Sequence, residues 1–326
     1  MQSSLFPVEK SISLPDSNQI DHWILAFSGG KDSLACLLWL IENVDGSKIE
    51  LWHHEVDGSG ETFMDWNCTR GYCDAIAKAF CLPIYFSGLS GGFKGELMKE
   101  NRPHAASYFE TPDGVKTSGG KGKASTRRRF PAKVASLRLR WCSSALKIDV
   151  SRMAIANQPR FNGKNIVVVT GERRAESSAR EKYLQTQYYC QPNSIRTVYQ
   201  YRPVLEWTTE QVWAKIAEYK VTPHPAYQLG WGRTSCLCCI FGSNNQWATI
   251  RRDFPDRFKK IADLEIELSH TIDNKRSVVE MANAGIPYSH NPEAIALAKS
   301  TTWNIPIFND NWELPSGAFG EQNGST

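Results

Sequence analysis

Short apolar runs alternate with longer amphipathic stretches over roughly the first half of the chain. The short runs end at turn residues, as buried strands do. They lie at 23–27, 49–53, 83–87 and 165–170. The amphipathic stretches have apolar positions at helical spacing and lie at 32–43, 65–80 and 143–157. This alternation predicts an α/β fold, with a doubly wound, mostly parallel sheet and helices on both of its faces.

The pattern changes along the chain and predicts four segments. They are a polar leader at 1–20, a sheet domain at 21–205, a mostly helical region with cysteines at 206–300, and an irregular tail at 301–326. Within the sheet domain, about 88–140 is rich in glycine and basic residues, and we expect an insertion that is at least partly mobile. In the helical region we expect helices at 244–270 and 276–299.

Hydropathy and cysteine content bound the class of protein. No apolar run approaches the about 20 residues that span a bilayer. The first residues lack the charged-then-apolar layout of a signal peptide, so we expect a cytoplasmic protein without a membrane partner. Nine cysteines in a cytoplasmic enzyme of 326 residues indicate metal chemistry, redox chemistry or buried thiols rather than disulfides.

The strand at 23–27 runs directly into the turn Ser-Gly-Gly-Lys-Asp-Ser at 28–33, which opens a helix. Gly29 and Gly30 let the backbone curl so that several N–H groups point at one spot, where the helix dipole adds positive potential. Lys31 adds a mobile charge, and Asp32 caps the helix or approaches a metal ion. Because the spacing differs from the Walker form, the turn predicts a phosphate or pyrophosphate site of another kind.

Charge is concentrated in one segment. The formal net charge is +4, yet residues 116–140 hold nine basic residues and no acidic one. Three roles remain open for this segment: contact with nucleic acid, a mobile lid over a nucleotide, or docking of an acidic partner. The candidate nucleic-acid contacts are Arg127, Arg128, Arg129, Arg138 and Arg140.

The turn at 28–33 resembles the PP-loop of the adenine-nucleotide alpha-hydrolase superfamily, whose members cleave ATP between the alpha and beta phosphates. Four later segments, in the same order along the chain, resemble the phosphoadenosine-phosphosulfate (PAPS) reductase family. They are WCSSALKI at 141–148, GERRAESSAR at 171–180, RPVLEWTTEQVW at 202–213 and HPAYQLGWGRTSCLCC at 224–239. The resemblance implies a PP-loop ATP pyrophosphatase with a Rossmann-like sheet, using ATP and Mg²⁺.

The resemblance also implies which residues form the nucleotide site. They are Ser28, Gly29, Gly30, Lys31, Asp32, Ser33, Asp57, Gly171, Arg173, Arg174 and Arg180. Among them Lys31, Asp32 and Arg173 are the expected catalytic residues. Lysine and arginine suit this role because a triphosphate requires both point charges and bidentate forks.

Cysteine spacing gives a second signal. Cys236 and Cys239 are separated by two residues, Cys238 lies between them, and Cys142 lies far upstream. Members of the PAPS reductase family with a four-iron cluster carry a Cys-Cys pair and a later Cys-x-x-Cys, and this chain keeps one cysteine of the first pair. The resemblance therefore implies a 4Fe–4S cluster on Cys142, Cys236 and Cys239, with Cys238 or a non-protein sulfur species as fourth ligand. Zinc and free redox thiols remain alternatives.

The tail at 301–326 contains no cysteine, whereas reductases of this family use a nucleophilic tail cysteine. Without the reductive step, the predicted chemistry is ATP activation beside a sulfur-handling cluster. This combination resembles the DndC and SspD proteins of DNA phosphorothioation. That resemblance implies activation of a DNA backbone phosphate for sulfur insertion, with a cysteine desulfurase as sulfur donor and DNA and other phosphorothioation proteins as partners. The alternatives are a PAPS or APS reductase-like enzyme, a non-catalytic nucleotide- or cluster-sensing module, and a tRNA thiolation enzyme.

Overall fold

The structure is a computed structural model that describes residues 12–321 of the chain. Its strands are β1 His22–Ala26, β2 Ile49–Glu55, β3 Ile84–Leu89, β4 Ala106–Thr111, β5 Gly114–Gly119, β6 Asn165–Val169, β7 Thr186–Tyr188 and β8 Thr197–Tyr201. Its α-helices are α1 Lys31–Asn43, α2 Thr69–Ala79, α3 Gly92–Leu97, α4 Trp141–Ser143, α5 Asp149–Ala156, α6 Thr209–Glu218, α7 Asn244–Asp253, α8 Pro255–Leu268, α9 Val278–Asn283 and α10 Pro292–Lys299. A π-helical turn, Ser144–Ile148, joins α4 to α5.

The described strands form one eight-stranded sheet in the order β5-β4-β3-β2-β1-β6-β8-β7. Strands β3, β2, β1, β6 and β8 pair in parallel, whereas β4, β5 and β7 add antiparallel edges. The chain leaves β1 toward β2 on one side and returns through β6 on the other, so the β1/β6 boundary is the topological switch point. The predicted mostly parallel α/β sheet is confirmed.

Helices cover both faces of the sheet, as alternation of apolar side chains along the strands requires. On one face, Leu25 and Val167 pack with residues of α1, α2 and α6. On the other face, Ile24 and Val168 pack with the end of α5. A third apolar cluster joins the helices α7 to α10 to the region around Trp66.

The sheet continues into the stretch 88–140, which the sequence did not predict. Strands β4 and β5 form an antiparallel hairpin that pairs with β3 through Ser87 and Phe109. The side chains of β5 are almost all exposed, so no apolar alternation marks this strand.

Each of the two long helices predicted in the second half is a pair of helices. The first is interrupted at Phe254, because Pro255 cannot donate a backbone hydrogen bond and starts a new helix. The second is interrupted between α9 and α10, where Asn291 caps a helix that again begins with proline, Pro292.

The two ends of the described chain contain little regular structure. Residues 1–11 of the predicted leader and 322–326 of the predicted tail lie outside the described residues. Between 301 and 321 the chain is irregular, with an isolated bridge from Phe308 to Val221. Among the helices between residues 12 and 321, none combines the length and apolar character needed to cross a membrane.

Candidate functional site

The turn 28–33 lies at the carboxyl end of β1, beside the switch point where open α/β sheets bind ligands. Gly29 has a φ of +77°, and a Cβ there would lie 3.1 Å from the Tyr72 ring. Helix α1 starts after Gly30, which has no side chain with which to cap it. The start of α1 therefore has the geometry that binds anions.

The two serines of the turn hold its shape. The Ser33 hydroxyl donates to the Gly30 carbonyl at 2.9 Å and lies 3.2 Å from the Ser28 hydroxyl. The Ser28 amide donates to the Ser33 hydroxyl oxygen at 3.3 Å. Both residues thus fix the turn from within, and Ser28 also lines the large cavity described below.

Lys31 is 2% exposed, and its ammonium group is engaged by the protein. Its Nζ donates to the Gly232 carbonyl at 3.0 Å and lies 3.4 Å from a carboxylate oxygen of Asp32. Its backbone amide donates to the Tyr227 hydroxyl at 2.8 Å. The loop around 227–232 therefore packs directly on the turn.

Arg173, from the loop after β6, is 1% exposed and crosses the switch point. Its Nε donates to Asp32 Oδ1 at 2.6 Å, and its Nη1 donates to the Trp207 carbonyl at 3.1 Å. Burial by itself would raise the pKa of Asp32, but Lys31 and Arg173 outweigh it and lower that pKa. Asp32 is accordingly the ionised partner of two buried cations.

The two other arginines predicted for the nucleotide site also pair with acids. Arg174 donates to Glu206 at 2.5 Å, and Arg180 pairs with Glu176. Gly171 is closely packed, since a Cβ there would lie 2.9 Å from the backbone of Asp32. Of these predicted positions Gly171 packs on the turn, whereas the charges of Arg174 and Arg180 are compensated by Glu206 and Glu176.

Asp57, at the end of β2, organises a loop. Its carboxylate accepts hydrogen bonds from the backbone amides of Phe63, Met64 and Asp65, each at 2.8 Å. Burial raises its pKa despite these donors. Asp57 therefore holds the loop 58–65 and, unlike Asp65, does not line the cavity.

A cavity of about 1100 Å³ extends from the turn across the carboxyl half of the sheet. Residues of β1, β2, β6 and β8 line it, among them Ala26, Trp52, Val168 and Gln200. The helical turn at 147–152 also lines it. Its volume exceeds the usual size of a site for a single small ligand, so the cavity has room for a nucleotide and a second reactant.

One part of the cavity contains a thiol beside a cation. Cys236 and Lys147 both line it, together with Asp65. Burial works against the charged form of Lys147, but Cys236 and Asp65 raise the pKa of its ammonium. Burial, reinforced by Asp57, raises the pKa of Asp65 to about 6, and burial also raises that of Cys236.

The predicted cluster ligands divide into two groups. Cys142, Cys236 and Cys239 lie close enough to Lys147 to raise its pKa. Cys238 is instead buried in the apolar cluster near Trp66, and its amide donates to the Met64 carbonyl at 3.0 Å. Within residues 12–321, no group of three or more His, Cys, Asp or Glu side chains is arranged to hold a metal ion. The donor set as arranged does not fit a metal cluster, so no chemical step is derived through one.

The predicted nucleic-acid contacts have different surroundings. Arg127 forms a two-pronged contact with the buried Glu96, at 2.9 and 2.7 Å, and Arg128 lies 3.6 Å from Glu267. Arg129 accepts a hydrogen bond from Trp141 through its carbonyl oxygen. The side chain of Arg138 is exposed.

Arg140 differs from these arginines. Its Nε and Nη1 atoms are buried and have no hydrogen-bond partner among the described residues. The guanidinium group also lowers the pKa of the nearby Cys142, although burial outweighs it and raises that pKa to about 11. Of the five arginines predicted to contact nucleic acid, Arg140 is therefore the one that lies near Cys142.

Sequence reasoning missed several residues that line the cavity. Lys147 lies within the family-like segment 141–148, but its position beside Cys236 was not predicted. Gln187, Tyr189 and Gln200 line the cavity from β7, the residue following it, and β8. A signal existed in the sequence, since 183–191 holds three tyrosines and three glutamines.

Together, the sheet, the turn at its switch point and the cavity define a nucleotide-binding α/β protein. The family model of the phosphoadenosine phosphosulfate reductase domain matches residues 119–241. The match includes Arg173, Cys142 and the cysteines at 236–239, and begins after the turn 28–33. The chain is thus similar to that domain over the part of the site that follows the turn.

Two curated relatives match part of the chain. An uncharacterized 37.8 kDa protein of Escherichia phage 186 is 30% identical over 137 residues, which cover 42% of this chain and 39% of that protein. An uncharacterized protein of Methanocaldococcus jannaschii is 26% identical over 125 residues, which cover 38% of this chain and 28% of that protein. The matched stretches thus span well under half of either relative.

Among solved structures, Candida glabrata FMN adenylyltransferase is similar with a TM-score of 0.40 and 11% identity, covering 93% of this chain and 76% of that chain. Its complex with FMN and the ATP analogue AMPCPP gives a TM-score of 0.37 and 12% identity, covering 67% of this chain and 56% of that one. These likenesses are too distant to support an argument about the site.

Proposed function

We propose that this protein cleaves ATP to AMP and pyrophosphate at the turn 28–33 and so activates a DNA backbone phosphate for sulfur insertion. The observation that carries the proposal is that one cavity joins Ser28 of the turn to the Cys236 thiol and its neighbour Lys147. A nucleotide and a sulfur species held in this cavity would be adjacent.

In the proposed reaction, the acceptor phosphate oxygen attacks the alpha phosphorus of ATP, and pyrophosphate leaves. A sulfur nucleophile at the oxidation level of sulfide then attacks the acceptor phosphorus, and AMP carries away the oxygen. The start of α1 and Lys31 stabilise the pyrophosphate, and Arg173 positions the turn by holding Asp32. The proposal includes Mg²⁺ with the triphosphate and a cysteine desulfurase as sulfur source.

The test is made on protein purified without oxygen. Pyrophosphate release from ATP is measured with and without DNA, and the visible spectrum shows whether the cysteines bind an iron–sulfur cluster. Lys31→Ala is expected to reduce release by at least about a hundredfold, because an electrostatic contact to the leaving group is removed. The matched control, Lys78→Ala, removes a lysine that is 75% exposed and should leave release unchanged.

Two outcomes would sink the proposal: wild-type protein that releases no pyrophosphate under any of these conditions, or release that is indifferent to Lys31→Ala. A further variant, Cys236→Ala, separates the steps. We expect it to retain pyrophosphate release and to lose phosphorothioate formation, which mass spectrometry of nuclease-digested DNA detects.

A second candidate is a sulfonucleotide reductase, favoured by the family match over 119–241. It predicts sulfite release from PAPS or APS in the presence of a thiol reductant and no pyrophosphate release from ATP. Cys190 and Cys236 line the cavity and are the candidate thiols for such a reaction. Assaying both reactions on one preparation decides between the candidates.

A further inference from the structure

The large cavity has a second arm, on the opposite side of the switch point from Cys236. It is lined by Tyr183, Gln187 and Tyr189 from the β7 region and by Gln200 from β8. Because the strand order is β1-β6-β8-β7, β7 lies three strands from β1, which is about 14 Å at the usual strand spacing. Part of the cavity therefore lies at a distance from the turn 28–33 that a nucleotide can span.

A ladder of polar side chains forms the floor of this arm. Gln187 Nε2 donates to Gln200 Oε1 at 3.0 Å, and Gln200 Nε2 donates to Thr170 Oγ1 at 3.0 Å. Nearby positions on this sheet face are apolar, such as Val168 and Val198. Each glutamine amide carries a second N–H beyond the one used in the ladder, so the floor can pair with a ligand edge that presents acceptors.

Two aromatic rings with cations against them line the same arm. The Arg202 guanidinium lies 4.8 Å from the centre of the Tyr183 ring, and that of Arg152 lies 5.8 Å from the centre of the Tyr189 ring. Arg202 also donates to Glu172 at 3.1 Å, which fixes its position. Tyrosine rings backed by arginine are stacking surfaces for flat heterocycles whatever the sequence.

We infer that this arm binds an unpaired nucleobase of the acceptor strand, while ATP occupies the turn side of the cavity. The inference rests on the proposed function and states how the acceptor strand is bound. An acceptor phosphate beside ATP at the turn and a base in the arm, about 14 Å to the side, match the dimensions of one nucleotide and its neighbour. Since a paired base keeps its edge inside the duplex, the base must leave the stack to meet Gln187 and Gln200.

The experiment measures equilibrium binding of fluorescently labelled 12-nucleotide strands by anisotropy, without ATP, so it needs no turnover. Single-stranded DNA, single-stranded RNA and duplex DNA are compared. We expect Tyr189→Leu to weaken single-strand binding about tenfold, the typical loss for one stacked base. Tyr189→Phe keeps the ring and should bind within about twofold of wild type.

Controls address folding and location. Tyr219→Ala removes a tyrosine that also carries a lysine against its ring but lies at the end of α6, outside the cavity lining, and should not change binding. Tyr183→Ala is a second, independent probe of the arm, and thermal unfolding of every variant identifies those that fail to fold.

Three results would overturn the inference: no binding of single strands, equal binding by wild type and Tyr189→Leu, or tighter binding of duplex than of single strands. A parallel loss of ATP affinity in Tyr189→Leu would also overturn it, since the arm would then hold the adenine of ATP. Single-strand binding that depends on Tyr189, in a protein that releases no pyrophosphate, would refute the proposed function and leave the arm assigned. RNA binding that exceeds DNA binding keeps the arm as a nucleobase site and overturns DNA as the acceptor.

Discussion

Arg173 Nε donates to Asp32 Oδ1 at 2.6 Å, although the two residues are 141 positions apart in the chain. This contact joins the loop after β6 to the first turn of α1, across the boundary where the sheet reverses its strand order. Because Lys31 lies against the same carboxylate, at 3.4 Å, both cations are held in fixed positions beside the turn. The proposed pyrophosphate site would therefore be preorganised.

Arg173→Ala should destabilise the protein by about 3 kcal/mol, because it leaves the carboxylate of Asp32 with one buried partner instead of two. Arg174→Ala is the matched control, since that side chain is one-third exposed and pairs with an exposed glutamate. We expect the control to stay within about 0.5 kcal/mol of wild type. Urea unfolding of both variants measures the difference, and equal effects would contradict the buried pair.

Glu96→Gln should loosen the basic segment. The Glu96 carboxylate is 1% exposed and contacts Arg127, Lys99 and His104 at 2.7 to 3.2 Å. Without it the buried Lys99 and the half-buried Arg127 lose their counterion, so we expect a loss of about 3 kcal/mol and faster tryptic cleavage within 99–140. Glu100→Gln, four positions on and exposed, is the control. Unchanged cleavage in Glu96→Gln would show that this carboxylate does not anchor the segment.

Glu50 should make stability depend on acid. Burial opposes its ionisation, but His22 and Arg160 outweigh burial and lower its pKa from 4.5 to about 2. A carboxylate with a lowered folded-state pKa stabilises the protein above its unfolded pKa and loses that contribution as pH falls through the folded value. The shift corresponds to about 3 kcal/mol at neutral pH.

Unfolding of wild type and Glu50→Gln should therefore differ by about 3 kcal/mol at pH 7, and the gap should narrow between about pH 4.5 and pH 2. Glu61→Gln is the control, because that carboxyl is 79% exposed and its pair with Lys260 contributes little. A gap that stays constant down to pH 3 would mean that Glu50 is not ionised in the way its contacts indicate.

Gly171→Ala should disturb the turn 28–33, because Gly171 packs directly against its backbone. The added Cβ would lie 2.9 Å from the Asp32 carbonyl and 3.1 Å from the Ser33 amide, and backbone cannot yield as a side chain can. We expect a loss of about 1 to 3 kcal/mol and weaker ATP binding. At Gly122 nothing lies within 4 Å of such a Cβ, so Gly122→Ala is the control. Isothermal titration with ATP and thermal unfolding measure both effects, and wild-type behaviour in Gly171→Ala would refute the close packing.

The sequence by itself determined the central part of the fold. Strands β1, β2, β3 and β6 and helix α1 fall within one or two residues of their predicted bounds, because each is a local pattern ended by a local turn signal. The turn at 28–33 and its place after β1 followed in the same way. Strands β4, β5, β7 and β8 were not predicted. Of these, β5 is exposed and β7 has three residues, so neither carries the apolar alternation of a half-buried strand.

Only the tertiary structure decided which charged side chains and thiols lie close together. The arginines of 171–180 looked equivalent in sequence, yet Arg173 is buried against Asp32 whereas Arg174 reaches Glu206 at the surface. Cys238 lies beside Cys239 in the chain but is fully buried in the apolar cluster, whereas Cys239 is partly exposed. Spacing along a chain specifies residue types, whereas burial and long-range ion pairs depend on which segments fold against each other. Packing therefore determined which of these arginine and cysteine side chains lie in the candidate site.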